Sequence, residues 1–98
     1  MKKPNITQGS WYYNDIYHNV ESDIKDNGEL ICEVNYYGTD EEEEVANARA
    51  ISAVPEMIDA LVEAHGTLES LTYSGADKFV VEEELKNIEQ ALKKAGCN

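Results

Sequence analysis

The sequence has 98 residues and a formal net charge of -12, with 20 acidic and eight basic side chains. This length predicts a single domain over residues 1–98 with one modest hydrophobic core. The charge opposes binding to a phosphate backbone, because nucleic-acid affinity rests on many Lys and Arg side chains. We therefore expect no direct nucleic-acid binding, and a basic protein surface is the partner that the charge favours.

Neither end of the sequence has the apolar run that a signal peptide or a membrane span requires. We expect a cytoplasmic protein that does not bind membranes. The two cysteines, Cys32 and Cys97, lie far apart and outside any CxxC or His-Cys spacing, which favours two reduced thiols. We expect no structural metal and no cofactor.

Residues 9–37 predict a three-stranded antiparallel meander. The first strand, residues 11–17, is rich in aromatic and β-branched side chains and ends at a turn formed by His18 and Asn19. The second strand, residues 20–24, alternates apolar or small side chains with charged ones. This alternation is typical of a strand with one buried face.

A tight hairpin is predicted at Asp26-Asn27-Gly28, since Asn and Gly accept the positive φ angles of such turns. The third strand covers residues 29–37. Strict alternation would place four of its side chains together on one face: Leu30, Cys32, Val34 and Tyr36.

The first helix is predicted over residues 40–54. Thr39 and Glu42 have the spacing of a capping box, in which each side chain accepts from a backbone amide of the other residue. The acidic residues 41–44 lie at the positive end of the helix dipole, which gives this run a structural explanation. The inner face is predicted to carry Val45, Ala48 and either Ile51 or Ser52.

Pro55 predicts a break after the first helix, because proline fits the first turn of a helix but not its interior. We expect one helix to end near Ala53, Val54 to be extended, and a second helix to cover residues 55–72. The apolar stripe of this second helix is predicted to contain Ile58, Leu61, Val62, His65 and Leu68.

The last helix is predicted over residues 77–95, with Asp77 as its cap and Gly96 after its end. Its predicted apolar positions are Val81, Leu85, Ile88, Leu92 and Ala95. The sequence thus predicts an α+β fold of order βββααα, in which a three-stranded antiparallel meander is followed by two to three helices packed on one sheet face.

Such a sheet leaves one face without a helix. Alternation puts Trp11, Tyr13 and Tyr17 on one face of the first strand and Tyr12 on the other. Some aromatic side chains are therefore expected on the open face, as a contact surface. Self-association into a dimer or a larger homo-oligomer is expected through this sheet or through the long helices.

The segment EVANARAISAVPEMIDAL, residues 44–61, resembles a stretch close to EANARLIAAAPELLEAL that is typical of a widespread family of small bacteriophage proteins. Trp11, which precedes a predicted hairpin, is also part of the resemblance. The resemblance thus covers most of the chain, with its features in the same order. Ala50 stands where the pattern has Leu, and the density of tyrosines near the N-terminus is unusual. The resemblance implies a phage or prophage origin and a small accessory role, with no catalytic residues to carry over.

We expect no enzymatic activity. The residues available as nucleophile or base are His18, His65, Cys32, Cys97 and the acids, and no GxSxG, phosphate-loop or HExxH motif is present. His65 is expected to pack within the apolar stripe of its helix. His18 is expected in a turn, exposed to solvent.

Two binding hypotheses remain. In the first, the protein inhibits a host defence protein, in the manner of an anti-CRISPR, by placing acidic runs in a basic nucleic-acid channel; these runs are Glu41, Glu42 and Glu43, and Glu82, Glu83 and Glu84. In the second, an oligomer sequesters a nucleotide-derived immune signal through cations and stacking tyrosines: Arg49, Lys78, Lys86, Tyr12, Tyr13, Tyr36 and Tyr37. An accessory role without either activity is the third alternative.

Arg49 distinguishes these hypotheses, since it is the only arginine of the chain. In a structural role it pairs with Glu44, Glu56 or Asp59, and its replacement by Ala lowers stability. In a functional role it contacts a ligand or partner, and its replacement lowers activity at unchanged stability. The same reasoning applies to Trp11.

Overall fold

A computed structural model of the chain describes residues 2–23, 29–34, 40–73 and 78–97. Three strands precede three helices, which confirms the predicted α+β order. The elements are β1 (Trp11–Asn14), β2 (Asn19–Ser22), β3 (Glu29–Glu33), α1 (Glu41–Ser52), α2 (Val54–Tyr73) and α3 (Lys78–Lys94). Several predicted features lie outside the described residues: Ile24, the turn at residues 26–28, Tyr36, Tyr37, Thr39 and Asp77.

The chain contains two compact units. The first is Ile6–Pro55, with the sheet and α1, and the second combines Met1–Asn5 with Glu56–Asn98. The expectation of one domain stays a prediction. No helix among the described residues has both the length and the apolar character needed to cross a membrane.

The sheet of the first unit is an antiparallel meander in the order β1-β2-β3, as predicted. β1 is shorter than expected, because Asn14 begins a turn over residues 15–18. The Asn14 Oδ1 atom accepts hydrogen bonds from the backbone amides of Ile16, at 3.0 Å, and Tyr17. The prediction of a strand continuing to Tyr17 is therefore wrong, and the side chains of Ile16 and Tyr17 are exposed.

A β-bulge in β3 changes which side chains face the core. Val20 pairs with Cys32 and Glu21 pairs with Leu30, so Ile31 is an extra residue between two pairs. Ile31 and Cys32 both pack against the core. The prediction that Leu30 shares a face with Cys32 and Val34 is wrong, because the extra residue shifts the alternation, and the Leu30 side chain is 55% exposed.

Helix α1 begins at Glu41 and is capped by Asp40, whose carboxylate accepts from the Glu43 amide at 2.8 Å. The described cap is therefore Asp40, and the predicted Thr39 cap lies outside the described residues. The helix packs on β1 and β2 through Ala48, which has no exposed surface. The core of this unit contains Val20, Val34 and Ala48, surrounded by Trp11, Tyr13, Ile31, Cys32 and Ile51.

The predicted break between the first two helices is confirmed. α1 ends at Ser52, and Ala53 has φ -85° and ψ -3°, with its amide bonded to the carbonyls of Arg49 and Ala50. The expectation of an extended Val54 is wrong, because α2 already begins there and Pro55 occupies its second position. Proline is tolerated there, since the first amides of a helix have no partner within the helix.

The second unit contains most of α2 and the whole of α3. Its buried side chains include Ile58, Val81 and Leu92, as the apolar stripes predicted. Buried His65 lies 2.9 Å from Glu89 through Nε2 and 2.8 Å from Glu69 through Nδ1. The His65 side chain thus connects α2 with α3.

Helix α3 ends in a Schellman motif. Gly96 has φ 95°, its amide bonds the Lys93 carbonyl, and the Cys97 amide bonds the Leu92 carbonyl at 2.9 Å. Cys97 is buried as a result, with 3% of its surface exposed. The predicted apolar position Ala95 is wrong, because it lies in the turn after Lys94 and is exposed.

Candidate functional site

Three polar side chains meet where α1 begins beside the turn between β1 and β2. The Tyr13 hydroxyl lies 3.3 Å from Glu44 Oε2, and His18 Nδ1 lies 3.1 Å from the same oxygen. The Tyr13 hydroxyl and His18 Nδ1 are also 3.3 Å apart. The chain thus brings together residues from a strand, a turn and a helix around one carboxylate.

Local geometry explains each of these positions. Tyr13 is partly buried on the side of β1 that packs against the core. His18 closes the turn with φ 56°, a left-handed conformation that histidine adopts more readily than most residues, and its carbonyl accepts from the Val34 amide at 2.7 Å. Glu44 lies one turn before Ala48, so the two share the inner face of α1.

The distances allow one consistent placement of the hydrogens. If His18 Nδ1 carries a hydrogen, it donates to Glu44 Oε2, and the Tyr13 hydroxyl donates to the same oxygen. Burial raises the pKa of the Tyr13 hydroxyl, and the negative charge of Glu44 raises it further. Tyr13 is therefore a hydrogen-bond donor to Glu44 at neutral pH.

Glu44 is a buried acid with unused hydrogen-bonding capacity. Only 2% of its surface is exposed. Its Oε1 atom is buried and has no hydrogen-bond partner among the described residues, while Oε2 accepts from the Tyr13 hydroxyl and lies 3.1 Å from His18 Nδ1. A buried acceptor without a donor is costly and uncommon, and in a native structure it indicates a functional constraint or an absent partner.

Glu44 is one of the residues that line a cavity of about 420 Å³, which we call the Glu44 cavity. Its lining residues are Tyr13, Asp15, His18, Glu41, Glu44, Val45 and Arg49. Three carboxylates face a single guanidinium there, so the cavity is acidic. An adjacent depression of about 370 Å³ shares Glu41, Val45 and Arg49 with it and adds Glu42 and Ala46.

Arg49 lies on the exposed side of α1 and forms no ion pair with any acid of the described residues. The structural alternative for Arg49, an ion pair with an acid such as Glu44, is therefore not found among the described residues of its own unit. Asp59 pairs instead with Lys3 at 2.8 Å. Arg49 contributes to both depressions beside α1, and its charge opposes that of the acids around it.

Of the predicted aromatic residues, the structure describes Trp11, Tyr12 and Tyr13. Tyr12 is 42% exposed on the opposite face of β1 from Tyr13, and its hydroxyl donates to Glu21 at 3.0 Å. This hydrogen bond raises the pKa of Tyr12. Trp11 packs against the core and donates through Nε1 to the Thr7 carbonyl at 3.1 Å. Tyr12 and Tyr13 thus lie on opposite faces of β1, as the alternation of the strand predicted.

The acids predicted for partner binding lie on the first turn of α1. Glu41, Glu42 and Glu43 are all exposed, and two of them line the depressions described above. They form no ion pair within the part of the chain that the structure describes. Their charges are therefore available to a partner.

Sequence reasoning missed Asp15 and Glu44 as members of a site. The expectation that His18 lies in a turn and is exposed is confirmed, with 46% of its side chain exposed, but its contact with Glu44 was not predicted. The signal for Glu44 was its spacing, since Glu44, Ala48 and Ile51 recur at the helical period. Among the described residues no cluster of His, Cys, Asp and Glu has the arrangement of a metal site.

Comparison with known proteins identifies a phage family. The family model described as Salmonella phage P22 protein Y8K6 matches residues 1–98. No match was found among curated proteins or among solved structures. The family match confirms the expectation of a small phage protein. Since the match covers the whole sequence, the chain belongs to the family of Salmonella phage P22 protein Y8K6.

Proposed function

We propose that this phage protein is a non-enzymatic inhibitor of a host defence system, which acts in the cytoplasm of the infected cell by binding a basic host protein. The observation that carries the proposal is the acidic first turn of α1. Glu41, Glu42 and Glu43 are exposed there and have no cationic partner among the described residues. Proteins that bind nucleic acids present the complementary surface.

Electrostatics supports this class of partner. The net charge of -12 repels nucleic acid and attracts basic protein surfaces, which speeds encounter and favours a correct orientation. An array of carboxylates can then occupy positions on the partner that would otherwise contact phosphates. Competition for a nucleic-acid channel is the mode of inhibition that follows, as in an anti-CRISPR protein.

Sequestration of a nucleotide signal fits this site less well. Arg49 is the cation of the Glu44 cavity, but a phosphate beside it would also face Asp15, Glu41 and Glu44. Phosphate sites concentrate cations and backbone amides instead. An oligomer that sequesters such a signal would thus need cations from its other subunits. No specific feature of the described residues favours this function.

The test is a plaque assay on bacteria that each carry one defined nucleic-acid-targeting defence system. Expression of the protein should restore plaques of a sensitive phage on one of these hosts. Replacement of Glu41, Glu42 and Glu43 by Gln should abolish this effect. Relief of none of the systems, or full activity of the triple variant, would refute the proposal.

A matched variant controls for the loss of charge. The same three substitutions at Glu82, Glu83 and Glu84 remove equal charge from exposed positions of α3. We expect a smaller effect there, because Glu82 already lies 3.9 Å from Lys78. Binding of the purified defence protein should also weaken as salt rises, since exposed charges are screened.

A further inference from the structure

We propose that the Glu44 cavity holds the guanidinium group of one arginine side chain of the basic partner. This inference rests on the proposed function, because it names how the partner is held at the same end of α1. Three features carry it: the charge of the cavity lining, the unused acceptor on Glu44, and the mixture of carboxylates with an aromatic ring.

The charge of the lining selects a cation. Asp15, Glu41 and Glu44 contribute three carboxylates, and Arg49 contributes one positive charge. The positive end of the α1 dipole opposes a cation, but this partial charge is about half a unit and falls off within the first turn. The three full negative charges outweigh it.

Glu44 provides the specific acceptor. Its Oε2 atom already accepts from the Tyr13 hydroxyl and contacts His18 Nδ1, whereas buried Oε1 has no partner among the described residues. Glu44 lines the cavity, and we infer that an N–H group bound there supplies the missing donor once the side chains that bury Oε1 move aside. The cost of leaving this oxygen unpaired is then removed on binding, which favours a bound partner over the empty cavity.

Arginine fits this lining better than lysine. A guanidinium has five donors in a plane, so it can bond Glu44 and one of the exposed acids Asp15 and Glu41 at the same time. Its flat face also stacks on aromatic rings, and Tyr13 lies in the cavity wall. An ammonium group lacks both the fork and the flat face.

Nuclear magnetic resonance with small probes tests the cavity directly. N-acetyl-arginine amide, N-acetyl-lysine amide and N-acetyl-citrulline amide are titrated into the isotope-labelled full chain. We expect the arginine probe to shift the amide signals of Asp15, His18 and Glu44 and to saturate, the lysine probe to bind more weakly, and the uncharged citrulline probe to shift none of them. Equal binding of all three probes, or shifts spread evenly over the acidic surface, would overturn the proposal.

Two variants distinguish binding in the Glu44 cavity from a general effect of negative charge. Glu44→Gln keeps the shape of the side chain and should weaken the arginine probe about tenfold, the usual size of a lost charged hydrogen bond. Glu63→Gln removes one charge from an exposed position of α2 and should not weaken it. An equal loss of affinity in both variants would refute the proposal that the Glu44 cavity binds arginine.

Because Glu44 is buried, its replacement also risks unfolding. The exposed acids of the lining provide a second pair of variants, Asp15→Asn and Glu41→Gln, which leave the core intact. Each should weaken the arginine probe. Unchanged affinity in both folded variants would contradict the proposal.

Failure of this inference is distinguishable from failure of the proposed function. If Glu44→Gln is folded and still relieves the host defence fully, the cavity is not used, although the protein remains an inhibitor. If the arginine probe saturates the cavity but the protein inhibits no defence system, the arginine site is supported and the proposed function fails.

Discussion

The Tyr13 hydroxyl lies 3.3 Å from Glu44 Oε2 and joins β1 to α1 across 31 positions of the sequence. With His18 on the same oxygen, this contact holds a buried carboxylate at the wall of the Glu44 cavity. The fold of the first unit and its candidate site therefore share one hydrogen-bonded group. Changes at this group should affect stability and binding together.

Replacement of Tyr13 by Phe should lower the free energy of unfolding by about 1–3 kcal/mol, because it leaves buried Glu44 with one donor fewer. The matched control is Tyr12→Phe. It removes a hydroxyl that bonds Glu21 at an exposed position, and its effect should stay within about 0.5 kcal/mol. Urea unfolding of both variants measures the difference. Equal losses would show that the Tyr13 contact does not stabilise the fold.

Replacement of Arg49 by Ala should change the free energy of unfolding by less than about 0.5 kcal/mol, because the side chain is exposed and forms no ion pair with the described residues. The variant should bind the arginine probe more tightly, since the cation of the Glu44 cavity is removed. A melt and a probe titration measure both. Loss of defence relief at unchanged stability would point instead to an anionic ligand on Arg49.

Replacement of Asp40 by Ala should cost about 1 kcal/mol, because its carboxylate caps α1 through the Glu43 amide. Asp40→Asn is the control, since an Asn side chain also accepts from this amide and should retain most of the stability. Thermal unfolding of the two variants gives the comparison. An Asn variant as unstable as the Ala variant would assign the effect to the lost charge.

The stability of the second unit should fall in acid through Glu89. The hydrogen bond from His65 holds the pKa of Glu89 below its ordinary value of 4.5, in spite of an opposing effect of burial. The unfolded chain therefore binds this proton first as the pH decreases. The stabilisation is complete above the ordinary pKa and is lost as the pH falls through the lower value of the folded protein.

Urea unfolding between about pH 6 and about pH 3 should show this loss in the wild type and a smaller slope in Glu89→Gln. His65→Gln provides the control background, because it removes the cause of the shift. In that background, adding Glu89→Gln should leave the slope unchanged. A persistent effect of Glu89→Gln without His65 would contradict the assigned cause.

Much of the fold was predictable because its signals are periodic. The stripe of α2 from Ile58 to Leu68 and the break at Pro55 follow from spacing and from the chemistry of proline. The bulge at Ile31 was not predictable, because a run of apolar residues accommodates an extra residue without any sign in the pattern. The end of β1 depended on Asn14, whose side chain competes with the strand for backbone amides.

The candidate site was predictable only in part. Four glutamates in succession, residues 41–44, look alike in sequence, and only the tertiary structure turns Glu44 inward while the other three face solvent. Helical spacing from Ala48 pointed to this position. The contact with His18 depends on a turn conformation, and the position of Arg49 in the cavity wall depends on how α1 packs beside that turn. Neither follows from local sequence.

Ala48 has no exposed surface and places α1 directly on the sheet. For the evolution of the sequence, this contact means that the buried face of α1 tolerates few substitutions, whereas its exposed face tolerates many. A larger residue at position 48 would push the helix away from Val20 and Val34, whereas residues 41–43 can change without loss of packing. A phage lineage can thus alter the charges that face a host protein while the core of its descendants stays the same.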